Sequence, residues 1–376
     1  MLDTIILKIP KNNYWITDYK KFSATKEAME NFSAGYRSFK NNPTAKDKEK
    51  GIYKPCLTIF RRGVGLDLKI QFSAPKLLFN NNLDELEQTD FDKVVKTLIE
   101  KLTDMGVKIF TENIKNAEVL SFHPSKNIPL NGGYTATFAI RELAKIDISK
   151  KFDVDFKNYR NNGQALQFYT NSHAIVFYDK INDLNKAKNR SIDKDQTAQQ
   201  RNIFEFIKEK QPHLEILRLE IRLSKKKKMI EILNKVLEEV GCSPDPLFKD
   251  IFKKDLCQKI VNLYWDKYFS DNQFIFSTNN DSQEILQKIF MIFPKIKNTM
   301  AYKFVVLYML CKAEGGMRGF RQIIDSRPKY KVNWELAKKE FEKFEDEIFS
   351  NSIWGFLQDI KRELREFKPF RLKKIS

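Results

Sequence analysis

The spacing of apolar residues divides the chain into two regimes, a mixed one of strands and helices as far as about Leu223 and a helical one, with a period near 3.6, beyond it. The opening strand carries Leu2, Ile5, Ile6, Leu7 and Ile9. Residues 57–60 and 66–72, separated by Arg61-Arg62-Gly63-Val64-Gly65, predict a hairpin. In its second arm Leu66, Leu68, Ile70 and Phe72 share one face and Asp67, Lys69 and Gln71 the other. Such a sheet buries one side and keeps the other wet or functional.

A helix is expected over 91–105, capped by Thr89 or Asp90, with Val94, Val95, Leu98, Ile99 and Leu102 on one face and Gly106 as its stop. Its apolar face should cover the sheet. Residues 107–111 and 117–123 read as further strands, and Asn131-Gly132-Gly133 breaks the chain before a helix carrying Phe138, Ile140, Leu143 and Ile146. Residues 41–52 and 181–201 are polar enough to be exposed excursions. Strands and helices alternate with no Gly-rich phosphate loop, which favours an α+β fold with an antiparallel sheet over a Rossmann layout. After the lysine run at 225–228 the pattern is helical, over 229–240, 247–269, 283–293 before Pro294, and 299–313 before Gly315-Gly316. The expected organisation is an α+β domain over 1–228 followed by an all-α domain over 229–376.

The 376 residues are 42% hydrophobic, enough for a sizeable core. Lys and Arg number 67 against 49 Asp and Glu, a net charge of +18, so nucleic acid heads the expected partners. A plainer source of that charge is an AT-rich genome that fills the surface with lysine. Cys56, Cys242, Cys257 and Cys311 have no CxxC spacing and no histidine pattern, which argues against zinc and against a disulfide framework. A reducing cytoplasm is the expected location. The most apolar run, 304–311, is too short to span a bilayer, and the amino terminus lacks the order of a signal peptide.

Three constellations carry candidate chemistry. In 217–223, Leu217, Leu219, Ile221 and Leu223 point one way and Arg218, Glu220 and Arg222 the other. Glu220 is then either neutralised in a surface ladder or a ligand for Mg²⁺ or Mn²⁺, with the arginines on DNA phosphates. Tyr178 ends the apolar run 174–178, and an extended chain sets Lys180 on its face. It is either a half-buried aromatic at the rim or a nucleophile whose phenol the ammonium activates. In 118–127, Glu118 and His123 fall on opposite faces unless a bulge intervenes, and His123 is the better candidate ligand. At the carboxyl end, 317–324, a break at 325–328, and 333–344 have the size of a helix-turn-helix, with Arg318, Arg321, Arg327 and Lys329 as DNA contacts and a basic segment over 361–376.

In this order the segments resemble the phage and plasmid replication initiators of the filamentous-phage gene II/X family. The likeness rests on the opening strand 1–10, the Ser73-Ala74-Pro75-Lys76 segment leading to Asn80-Asn81-Asn82, the run 174–180 around Tyr178, the Arg218-Leu219-Glu220-Ile221-Arg222 strand, and the helical part 300–344. Where the family often has an aspartate before its second helix, this chain offers Glu118 or His123. The resemblance implies that Tyr178 nicks one strand at a replication origin, leaving a 5′-phosphotyrosine and a free 3′-OH, and later rejoins it. Glu220, with His123 or Glu118, would hold Mg²⁺ or Mn²⁺, and Lys180 and Arg222 would offset developing charge. A non-catalytic origin-binding protein and an RNA-binding module that stacks bases on some of its 31 phenylalanines are the alternatives.

Overall fold

The computed structural model describes residues 1–31, 38–44, 46–47, 50–62, 65–148, 152–158, 164–184, 198–237, 243–270, 281–313, 315–326 and 353–372. Eleven strands lie in these stretches: β1 (Leu2–Ile9), β2 (Trp15–Ile16), β3 (Ser38–Asn41), β4 (Cys56–Arg62), β5 (Gly65–Ser73), β6 (Val107–Lys108), β7 (Glu118–Leu130), β8 (Asp153–Asn158), β9 (Gln164–Tyr169), β10 (His173–Asp179) and β11 (Glu215–Leu223). Nine of them form one open sheet in the order β3-β4-β5-β1-β7-β11-β10-β9-β8, and β2 pairs with β6 in a separate ribbon. Every pairing in the large sheet is antiparallel. The chain is therefore a mixed α and β protein built on an antiparallel sheet.

Alternation along β1, β5, β7 and β11 sends Ile5, Leu7, Leu68, Ile70, Phe122, Leu219 and Ile221 to one face, where all are buried. The helices Phe91–Asp104, Ala136–Leu143 and Lys254–Tyr268 supply apolar partners to the same buried cluster. Phe177 of β10 meets Phe269 edge-on at 5.1 Å between ring centroids, just past the end of the last of these helices. Each such side chain withdrawn from water contributes roughly 1.5–3 kcal/mol. The helix over 91–104 stops where Gly106 takes φ +78°, with Asp18 packed against the place a side chain would need.

The elements turn helical at Lys226–Val236, close to the expected boundary. One buried apolar cluster includes residues of the sheet, of Lys254–Tyr268 and of Gly355–Glu366. A helix, Gly316–Asp325, covers the segment 317–324, while 333–344, the second helix expected there, lies outside the described residues. It is docked through Gly316, whose φ is +59° and whose missing side chain lets the backbone sit against Lys145.

Three expectations from the alternation are corrected. Residues 107–111 are not one strand: β6 has two residues and the helix Thr111–Lys115 follows. The strand expected at 117–123 continues to Leu130 as β7. The excursion expected at 181–201 begins as the helix Lys180–Leu184, with Ile181 and Leu184 buried against Phe204 and Ile207 of Ala198–Lys210. Ile181 and Leu184 stand three residues apart on one helical face, a spacing that the surrounding charges disguise in the sequence.

Candidate active site

The opposite face of the central strands is polar and partly buried. In β11, Arg218, Glu220 and Arg222 project to this face, and the register sets Arg218 against Tyr178 of β10 and Asn127 of β7. Glu220 lies against Val176 on one side and Ser125 on the other. The Tyr178 phenol thus reaches diagonally to the carboxylate and donates to Glu220 Oε2 at 3.2 Å. Arg222 Nε donates to Glu220 Oε1 at 2.8 Å, and His123 Nδ1 lies 3.2 Å from the same oxygen. The helix Lys180–Leu184 replaces the extended continuation of β10, yet Lys180 still lies over the Tyr178 ring at 5.4 Å from its centroid. Tyr178, Lys180, Glu220, His123 and Arg222 are thereby brought together.

Burial raises the Tyr178 phenol well above its ordinary pKa, against the opposing pull of Arg218. Burial also pushes the Glu220 carboxyl up, but Arg222, His123 and Arg218 outweigh it and hold that group well below the usual carboxylate range. Lys180 is fully buried, and desolvation, with Arg218 nearby, lowers its pKa to about 7. At neutral pH the site holds a neutral phenol bonded to an ionised carboxylate, beside an ammonium that is ready to lose its proton.

Arg218 is not a DNA contact. It is 1% exposed, and its guanidinium donates to Asn82 O and Asn127 Oδ1, each at 3.1 Å, and to Ser125 Oγ at 2.8 Å. It also pairs with Asp3 Oδ2 at 3.1 Å. Asp3 in turn accepts from Ser73 Oγ at 2.7 Å. This buried aspartate escapes a simple alternation argument because Leu2 and Ile5 both face the core, three residues apart. A register shift between Leu2 and Ile5 in the β1–β7 pairing accommodates the odd residue. The bulge gives Asp3 to the polar face. The signal is legible in retrospect as a break of phase, Leu2 then Ile5, Leu7, Ile9.

A second shift, between Ile6 and Leu7, lets Glu118 and His123 both reach the polar face. Glu118 is nonetheless outside the site: it pairs with Lys8 and accepts from Lys226 Nζ at 2.5 Å. Glu118→Gln is expected to leave any chemistry at Tyr178 within about twofold and to cost no more than about 1 kcal/mol in thermal melting, since the pairs it loses are partly exposed. Of the residues expected to grip DNA from the carboxyl region, Arg321 is buried against Asp147, and Arg318 donates from both terminal nitrogens to Phe152 O at 3.2 Å. Both tie their helix to the rest of the fold, Arg321 from a buried position and Arg318 from a half-buried one. Arg327 and Lys329 lie outside the described residues.

The expected Mg²⁺ or Mn²⁺ shell does not assemble from these groups. Among the described residues no cluster of three or more His, Cys, Asp or Glu side chains is placed to hold a metal ion. Glu220 and His123 do meet, but the carboxylate is already bound by Tyr178 and Arg222, and two arginine charges flank the place a dication would take. No family model matches the chain, and neither a curated protein nor a solved structure was found to match it.

Proposed function

We propose that the chain opens and rejoins one DNA strand through Tyr178, as an initiator of rolling-circle replication does. The observation that carries this reading is the Tyr178 phenol, bonded to an ionised carboxylate beside Arg222 and His123, in a chain of net charge +18. The phenol oxygen attacks phosphorus and passes its proton to Glu220, the P–O3′ bond breaks, and the departing oxygen takes that proton from Glu220 and leaves as a 3′-OH, so the carboxylate is restored. The strand stays attached as a 5′-phosphotyrosine, and attack by a 3′-OH reverses the step. Arg222, with its side chain 36% exposed, meets the charge developing on the phosphate, and Lys180 meets the charge developing on the phenol.

The test is incubation of the protein with a supercoiled plasmid bearing the replicon's own origin, read on a denaturing gel for label held by protein. Mg²⁺, Mn²⁺ and a chelator are compared in parallel. Tyr178 is only 7% exposed, which favours a second reading in which the chain binds an origin without cutting it. Loss of the covalent species in Tyr178→Phe separates the two.

The role assigned to Lys180 has a sign. Its ammonium is needed, so kcat/KM should fall by about one decade per pH unit as pH rises above about 7, where the free protein loses that proton. Lys180→Arg keeps the charge and should move the descending limb to higher pH. Lys180→Met should show a low rate with no limb. A wild-type profile that is flat from pH 6 to pH 9 contradicts the assignment.

A further inference from the structure

The polar face continues past Asp3 and Ser73 onto β5, β4 and β3. There the register lines up one row across four strands: Lys40 opposite Thr58, Thr58 opposite Lys69, and Lys69 opposite Lys8. Like charges directly across an antiparallel pair destabilise it, and the Lys69–Lys8 pair is such a case. Lys8 is offset by Glu118, whereas among the described residues no carboxylate lies at ion-pairing distance from Lys40 or Lys69. Beside this row lies a groove of about 500 Å³ lined by Lys40, Asn42, Thr58, Lys69, Gln71 and Ser73 among others. The charge of the groove is positive, and its neutral side chains donate and accept hydrogen bonds. At its far end Ser73 donates to Asp3, which pairs with Arg218, so a chain of buried side chains leads from the end of the groove to the cluster that holds Tyr178.

We infer that this groove carries the phosphate backbone of the same DNA strand that Tyr178 attacks, with Lys40 and Lys69 as its phosphate contacts. The inference rests on the strand-transfer reading for the identity of the ligand. From β5 to β10 there are four strand spacings, roughly 19 Å at about 4.8 Å each, and the registers set Lys69 level with Glu118 and Glu220 level with Ser125, seven residues or roughly 23 Å further along β7, so the diagonal is roughly 30 Å. At about 3.4 Å per stacked nucleotide, about nine nucleotides separate Lys69 from the attacked phosphate. A single strand suits the place better than a duplex, because the row runs over the surface of a sheet and only one backbone need follow it.

The experiment measures binding of fluorescent oligonucleotides to full-length Tyr178→Phe protein, with and without Lys40→Gln and Lys69→Gln together. Cleavage is thereby kept out of the binding signal. For a single strand long enough to reach both places, the double substitution should weaken binding about tenfold at low salt. It should also make the slope of log K against log salt shallower by about 1.4, about 0.7 for each phosphate lost. An oligonucleotide of four nucleotides at the Tyr178 end should be unaffected. The melting temperature without DNA should not fall, because Lys69→Gln removes the repulsion with Lys8. Unchanged affinity and slope overturn the groove, as does an equal loss for the short oligonucleotide. Binding of RNA as tight as that of DNA overturns the assignment to DNA. The two readings fail separately: a covalent species that persists in Tyr178→Phe removes the nucleophile, while an altered slope in the lysine variant still places a strand in the groove.

Discussion

Tyr178→Phe is expected to bind origin DNA as the wild-type chain does and to form no covalent protein–DNA species, with nicking reduced by roughly 10⁴-fold or more, as when a nucleophile is removed from a catalytic unit. The change deletes one oxygen and leaves the ring among Ala174, Val176 and Ala165 and beneath Lys180. The lost hydrogen bond goes to an ionised carboxylate that retains Arg222 and His123, so the structural cost should be about 1.5–3 kcal/mol and the protein should still fold. The gel and a thermal melt are read on the same preparation. Equal amounts of protein-bound label in both proteins would remove Tyr178 from the chemistry and leave a DNA-binding protein.

The two arginines that flank Glu220 should part company when each is replaced by methionine. Arg218→Met takes the partner from Asp3 and leaves the oxygens of Asn82, Ser125 and Asn127 without their donor inside the sheet. Removing one member of a buried ionic network typically costs about 3–5 kcal/mol, so this variant should melt at a clearly lower temperature or fail to accumulate. Arg222→Met removes a side chain that is 36% exposed and leaves Glu220 with His123 and Tyr178. Its stability should fall by about 1–3 kcal/mol, less than for Arg218→Met, because the buried Glu220 keeps its other partners, while nicking should fall about 10²–10³-fold, the usual cost of losing one group that stabilises transition-state charge. Comparable melting curves for the two variants would contradict the division of labour between a buried organiser and an outward-facing cation.

The strand that carries Arg218, Glu220 and Arg222 was legible from its alternation, because a sheet with one buried face leaves a period of two in the sequence. The helix over 91–104 was legible for the same kind of reason, its apolar residues recurring on one side until Gly106. The strands at 153–158 and 164–169 left no comparable signal, and β8 lies at the edge of the sheet where only one neighbour pairs with it. Lys180 was expected beside Tyr178 through an extended chain and reaches it from the first turn of a helix. The contact survives a change of local structure because the next residue on the face of a strand and the first residue of a following helix both lie close to the strand's end.

By itself the sequence determined which strand faces are apolar, that Tyr178 and Glu220 sit on strands, and that the chain carries a large positive charge. Those properties are local or summed, and each is written in the order or number of residues. Only the tertiary structure decided which polar groups share one place. Asp3 joins Arg218 across more than two hundred residues through a bulge, Glu118 is drawn off by Lys8 and Lys226, and Arg318 and Arg321 bond to Phe152 O and Asp147. Register and bulges set these partnerships. A shift of one residue moves a side chain to the other face, and the energy that fixes the register comes from the packed core on the far side of the sheet.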